Sequence, residues 1–292
     1  MPDPSQWSLS APEKLTFEEP VTALDVRVVG GTVNVVGTDG GPARLELSGI
    51  DGPPLLVEHE GGTLSVHYED LGRQGFLKWL GGKWFDRKEW NRSVTLTLTV
   101  PTAARVEVGV VGAHTVASGL TGTTRIRGVD GDTVLMGLTG PVDAQTVSGR
   151  LEAQSLAGDV SFKSVSGDLT LVDCTSSAVK ADTVSGDMVV DLSAPDGGRG
   201  PSLGLTSVSG EITIRLPHPV DAEIDAGTTS GEVSCAFENL HVTGQWGARR
   251  ITGRLGNGRG RLKATTVAGG VALLRRPPAQ EEPVTATEGK TL

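Results

Sequence analysis

The phrase Thr/Ser-Val-Ser-Gly returns at residues 146–149, 164–167, 183–186 and 207–210, and looser copies fill the gaps between them. Gly122, Gly131, Gly140, Gly149, Gly158 and Gly167 follow one another at intervals of nine residues without a break. A fixed internal period of this kind dictates architecture before any single residue suggests a chemistry, because every unit must repeat one supersecondary element. Around each glycine the apolar residues alternate. Val165, Gly167, Leu169 and Leu171 are expected on one face, with Ser166, Asp168 and Thr170 on the other. Val184, Gly186, Met188 and Val190 repeat the pattern, as do Val208, Gly210, Ile212, Ile214 and Leu216. This is the period-two signature of strands with one buried face.

Nine is odd, so unbroken alternation would turn the next unit inside out. Each unit must therefore contain a corner that resets the phase, and Gln154-Ser155 is placed to be one. Beyond Gly167 the glycine intervals lengthen to Gly186, Gly210, Gly231 and Gly269. These widths suit coils of two strand-turn units, some with a decayed signal or an added loop such as Pro195 to Pro201. The expectation is an all-β, single-chain β-solenoid of about nine-residue units, roughly two per coil. An antiparallel sandwich is the rival, and the unbroken run of six equally spaced glycines favours the solenoid. The composition agrees: 41 glycines and 4% aromatic residues fit many turns and a thin core of Val, Leu and Ala.

The Val-Ser-Gly-Asp/Glu repeats, the segment Gly210 to Pro217 and the closing Thr266 to Leu273 resemble a bacterial family of β-strand repeats of unknown function. Its members are commonly labelled "putative adhesins". The resemblance spans about residues 15 to 276 and implies the repeat fold; it brings no catalytic residue with it.

Residues 15–107 contain strand-like runs without the strict beat and are expected to form an irregular β cap, preceded by an extension over 1–14. Residues 108–276 carry the solenoid repeats. Residues 277–292 hold too little apolar content to fold and are expected to be a disordered tail.

One stretch breaks the pattern. Residues 72–92 hold three of the five tryptophans, two of the five phenylalanines and six Lys/Arg against two acids, in a chain of net charge −9. Phe76, Leu80 and Trp84 recur four residues apart, although Gly81-Gly82 weakens a helix there. Phe76, Trp79, Leu80, Trp84, Phe85 and Trp90 form the apolar part of this candidate surface, and Lys78, Lys83, Arg87 and Lys88 its cationic part. Two readings stand side by side: a lid of rings over the solenoid end, or an interfacial patch for an anionic membrane or a protein partner.

Other chemistries find little support. The five histidines form no pair at catalytic or metal-ligand spacing, and no nucleophile elbow, phosphate loop or His-Glu-x-x-His is present. Acids follow the repeat glycines at Asp132, Asp159, Asp168, Asp187, Glu211 and Glu232. They lack the Gly-Gly-x-Gly-x-Asp pattern of calcium-binding rolls, so they read as turn acids. The basic stretch from Arg249 to Lys263 reads as a solvated face with a hairpin signal at Gly256 to Gly260. No nucleic-acid partner is expected, given the net charge and the lack of interleaved aromatics. Cys174 and Cys235 are expected to be free thiols. The start of the chain has no basic stretch followed by an apolar run, and no window approaches a membrane span, so a cytoplasmic protein without cofactor is expected. The function that fits is a non-catalytic scaffold or interaction module with an unknown protein partner, associated with the envelope through residues 72–92. A surface adhesin and a polysaccharide-active enzyme are the alternatives.

Overall fold

The computed structural model describes residues 5–71, 92–194, 200–245 and 247–276. The opening strands are β1 (Ser5–Leu9), β2 (Glu13–Phe17), β3 (Ala23–Thr38), β4 (Ala43–Asp51), β5 (Leu55–Glu60), β6 (Thr63–Tyr68), β7 (Ser93–Pro101) and β8 (Arg105–Ser118). The repeats follow as β9 (Thr124–Gly128), β10 (Thr133–Met136), β11 (Val142–Gln145), β12 (Leu151–Gln154), β13 (Val160–Lys163), β14 (Leu169–Cys174), β15 (Ala178–Asp182), β16 (Met188–Leu192), β17 (Ser202–Thr206) and β18 (Ile212–Leu216). The chain closes with β19 (Ala222–Thr228), β20 (Val233–Cys235), β21 (Leu240–Gln245), β22 (Ala248–Leu255), β23 (Gly260–Thr266) and β24 (Val271–Arg275).

The repeat region is a β-solenoid with two strands per coil, as the spacing predicts. Odd-numbered strands stack in parallel from β9 through β11, β13 and β15 to β17, and even-numbered strands from β10 through β12, β14 and β16 to β18. Equivalent residues lie eighteen apart in the regular part: Leu135 stacks on Ala153, and Ala153 on Leu171. The buried positions change parity with every unit, from Leu135 to Ala144, Ala153, Phe162 and Leu171. Gln154 and Ser155 are both exposed between buried Ala153 and Leu156, which is the phase reset that an odd period demands. Ser155 turns this corner with a φ of 55°, and Gly119, Gly137 and Asp173 hold the same left-handed geometry at eighteen-residue steps.

Strands β3 and β8 run continuously through the coil's other corner, since Val110 aligns with Gly128 at the end of β9 and Thr115 with Thr133 at the start of β10. There Val28 and Val29 are buried in succession, as are Val110 and Val111, so a doubled inward step resets the phase. Outward of β3 lie β6 and β7, then β5 and β4, then β1 and β2. The last four strands of this end pair antiparallel and close the stack on Leu9, Phe17, Leu45, Leu55 and Leu64.

The other end departs from sequence order. The final coil, β23 and β24, is inserted between the coil of β17–β18 and that of β19–β20. Beyond β19, β22 and β21 pair antiparallel as an end hairpin. The long interval from Gly231 to Gly269 is therefore a hairpin followed by a returning coil, and contains no decayed repeat. The expected hairpin at Gly256 to Gly260 is likewise corrected. Strands β22 and β23 flank β19 on opposite sides, so the glycine turn between them steps over the start of β19. Asp221 pins that step by accepting from the Arg259 backbone N–H at 2.9 Å and from its Nε at 2.6 Å.

Candidate functional site

The serines, glycines and acids of the repeat are the first candidates, and architecture accounts for each. The phrase forms the corner before each even strand. Its first hydroxyl accepts from the glycine N–H three residues on: Ser164 from Gly167 at 2.7 Å, Thr183 from Gly186 at 3.1 Å and Ser207 from Gly210 at 2.8 Å. Its second serine donates to the valine carbonyl of the coil before, Ser166 to Val147 and Ser185 to Val165. The glycine is there because the neighbouring coil lies too close for a side chain. A Cβ on Gly186 would stand 1.9 Å from the Gly167 carbonyl oxygen, and one on Gly210 at 1.9 Å from that of Gly186. The column runs on through Gly269 to Gly231 and so records the inserted coil. Three of the acids after the glycine accept from the backbone of the next coil, Asp132 from Arg150 at 2.9 Å, Asp168 from Asp187 at 2.9 Å and Asp187 from Glu211 at 2.7 Å. The turn-acid reading missed this role.

The valine of the phrase is corrected. Val165, Val184 and Val208 were expected inward but are about half exposed, at 50%, 48% and 47%. The glycine and, at Thr183 and Ser207, the first residue of the phrase are the buried positions of the corner, and the valine between them lies across the turn, where strand alternation no longer applies.

Phe76, Lys78, Trp79, Leu80, Lys83, Trp84, Phe85, Arg87, Lys88 and Trp90 lie outside the described residues, as do residues 277–292. Their attachment to the fold is described. β6 pairs with β3 as far as Arg27 opposite His67, and β7 resumes with Gly30 opposite Ser93. Where β3 turns its corner with Val28 and Val29, the neighbouring coil carries everything between Tyr68 and Ser93. The segment is thus an insertion at a coil corner.

A short 3-10 turn, Glu69–Leu71, leads into the insertion and buries Leu71 completely. On the return side, Arg92 Nη1 donates to both Asp70 carboxylate oxygens at 2.7 and 2.9 Å. The same guanidinium lies 5.3 Å from the Tyr68 ring centroid. Burial pushes the Tyr68 phenol up to about 12, against the opposing charge of Arg92. Its hydroxyl is buried and has no hydrogen-bond partner among the described residues. The two ends of the insertion are therefore held at one clamp, which no spacing rule in the sequence reveals.

The remaining candidates disperse. His59 packs edge-on against Phe17, and His67 lies 3.7 Å from Glu58. Cys174 is buried, with its thiol pKa raised by burial, and Cys235 is half-buried; both are free. Of the basic stretch, Arg250, Arg254 and Arg259 pair with Asp225, Glu223 and Asp221. Asp173 is held below the usual carboxylate range by a hydrogen bond from Ser193 and another from Arg276, a tie between distant coils. Among the described residues no three His, Cys, Asp or Glu side chains converge as a metal-holding group.

Fold and corner chemistry define a β-solenoid protein built from stacked strand-turn repeats. Within it, residues 109–200 match the model of the Toastrack DUF4097 family. In overall shape the chain is similar to a "putative adhesin" from Bacteroides fragilis, with 14% identity, 94% of this chain and 98% of that one covered, and a TM-score of 0.48. A "putative cell adhesion protein" from Clostridium sporogenes gives 12% identity, coverage of 91% and 100%, and a TM-score of 0.29. A "putative lipid binding protein" from Parabacteroides distasonis gives 11%, 91%, 98% and 0.37. No curated protein matches the chain.

Proposed function

We propose that the protein is a non-catalytic β-solenoid scaffold that contacts an anionic membrane surface through residues 72–92, from the cytoplasmic side. The observation that carries this reading is the placement of the segment. It interrupts the coil between β6 and β7, it bears net charge +4 with five aromatic rings, and the residues that flank it, Asp70 and Arg92, pair with each other. A segment of this composition suits interfacial burial of rings beside anionic headgroups. The roles found for the repeat serines, glycines and acids support a scaffold, since they account for those residues without an active site. Two free thiols support a reducing compartment.

Sedimentation with vesicles of phosphatidylglycerol and phosphatidylcholine tests the proposal. The Trp79→Ala/Trp84→Ala variant should lose binding to anionic vesicles while its unfolding temperature stays at the parent value. Equal sedimentation of variant and parent would reject the membrane role and leave the rings as a lid.

A further inference from the structure

The outward face of the odd-numbered stack carries two adjoining hollows, of about 700 and 810 Å³, that share Lys263. Strand register sets the order of side chains along their floor. Ser161 is followed by Lys180, Gly204, Lys263 and Asp225 on successive strands. Arg261 lies two residues from Lys263 on the same strand, and Arg249 and Arg250 line the second hollow.

Gly204 is the anomaly in this row. The glycines of the repeat phrase stand where the neighbouring coil leaves no room, yet a Cβ on Gly204 would meet nothing within 4 Å. Its φ lies outside the left-handed range, so neither packing nor backbone geometry requires glycine there. What it does is leave the floor open between two lysines. Those lysines sit two strands apart, about 9.6 Å at the usual strand spacing, and Arg250 of β22 lies two strands beyond Lys263 and two residues along, opposite Thr265.

The charges in this part of the face are unevenly satisfied. Arg250 pairs with Asp225 at 2.6 Å, and Lys180 approaches Asp182 at 4.0 Å. Arg249, Arg261 and Lys263 make no ion pair among the described residues. Asp143, Asp159 and Asp182 also line the first hollow, so the excess of cations lies around Lys263, where Arg261, Arg249 and Arg250 stand against Asp225.

We infer that this groove binds an extended acidic polysaccharide, with its carboxylate or sulfate groups on Lys180, Lys263 and the arginines beyond, and a sugar ring over Gly204. The cation spacing is about the advance of two sugar residues in an extended chain, so one acid in each pair of sugars would meet a cation. Ser161, Ser202, Thr206 and Thr265 supply hydroxyls to match those of the sugar. No aromatic side chain lines either hollow, which removes the stacking platform that single-stranded nucleic acid uses. This site is separate from the insertion at residues 72–92 and does not rest on the membrane reading.

Calorimetric titration of the full chain at one fixed salt concentration decides the matter. The probes are polygalacturonate, dextran sulfate, neutral dextran, single-stranded DNA and anionic vesicles. Binding to polygalacturonate or dextran sulfate, and not to neutral dextran, is expected, and the two acidic probes separate carboxylate from sulfate recognition. Lys180→Ala/Lys263→Ala should weaken that binding at least tenfold. Gly204→Val should do the same at an unchanged unfolding temperature, because its side chain projects into the groove and not into the core. Trp79→Ala/Trp84→Ala should leave it intact. Unchanged affinity in both groove variants, no affinity for either acidic glycan, or equal affinity for DNA or vesicles would each overturn the assignment.

Discussion

Two glycines in consecutive corners and strands, Gly204 and Gly210, should respond to alanine in opposite directions. At Gly210 the new Cβ would stand 1.9 Å from the Gly186 carbonyl oxygen and 2.7 Å from its carbon, where ordinary contact begins at 3.4 Å. The obstacle is backbone, so no rotamer change relieves it, and the coils must part locally. The bonds at risk are Ser209 N–H to Val184 O at 2.9 Å and Glu211 N–H to Asp187 at 2.7 Å. Losing two hydrogen bonds at about 1 kcal/mol each, with an overpacking cost of about 1–3 kcal/mol, gives a destabilisation of about 3–5 kcal/mol. At Gly204 the Cβ enters open space, and alanine should stabilise by about 0.5–1 kcal/mol by restricting the unfolded chain. Followed by circular dichroism, Gly210→Ala should unfold on the order of 10 °C below the parent, and Gly204→Ala slightly above it. If Gly210→Ala proved as stable as the parent, or if both variants fell together, the close-approach account of the glycine column would be wrong.

Three further outcomes follow from the same structure. Ser207→Ala removes the acceptor of the Gly210 N–H and should cost about 1 kcal/mol in urea unfolding, whereas Ser209→Ala, which loses a longer 3.4 Å bond, should cost less. Asp225 is held below the usual carboxylate range, first by its hydrogen bond from Arg250, so the unfolded chain binds its proton more readily. The stability it contributes is then complete above pH about 4 and lost as pH falls through the lowered value, and the unfolding temperatures of Asp225→Asn and parent should converge in acid. A chain ended at Gly258 loses β23 and β24 from between two other coils, so limited proteolysis should cleave within residues 222–255, which stay protected in the full chain.

The repeat was legible because its constraint is local and periodic. An odd period forces a corner, and the doubled exposed pair Gln154-Ser155 lies where that argument put it. The orientation of the valine was misread because alternation describes a strand, and Val165 sits in a turn between strands. The candidate segment at residues 72–92 stood out by composition alone, while the clamp that gathers its ends depends on Asp70 and Arg92, which carry no distinguishing pattern. The groove was illegible for a related reason. Lys180, Gly204 and Lys263 are neighbours only through strand register, and Lys263 arrives from a coil that is out of sequence order.

The amino-acid sequence by itself determined the unit length, the two-strand coil, the need for a phase reset and the glycine at each corner, since all of these follow from alternation and close approach within one coil and the next. Only the tertiary structure decided the order of the coils. Stacking energy between neighbours is much the same for any pair of similar repeats, so sequence similarity among them permits several orders. The hairpin of β21 and β22 closes the end of the stack, and the crossing pinned by Asp221 sends the last coil back inside. That return places Lys263 beside Gly204, and with it the cationic groove.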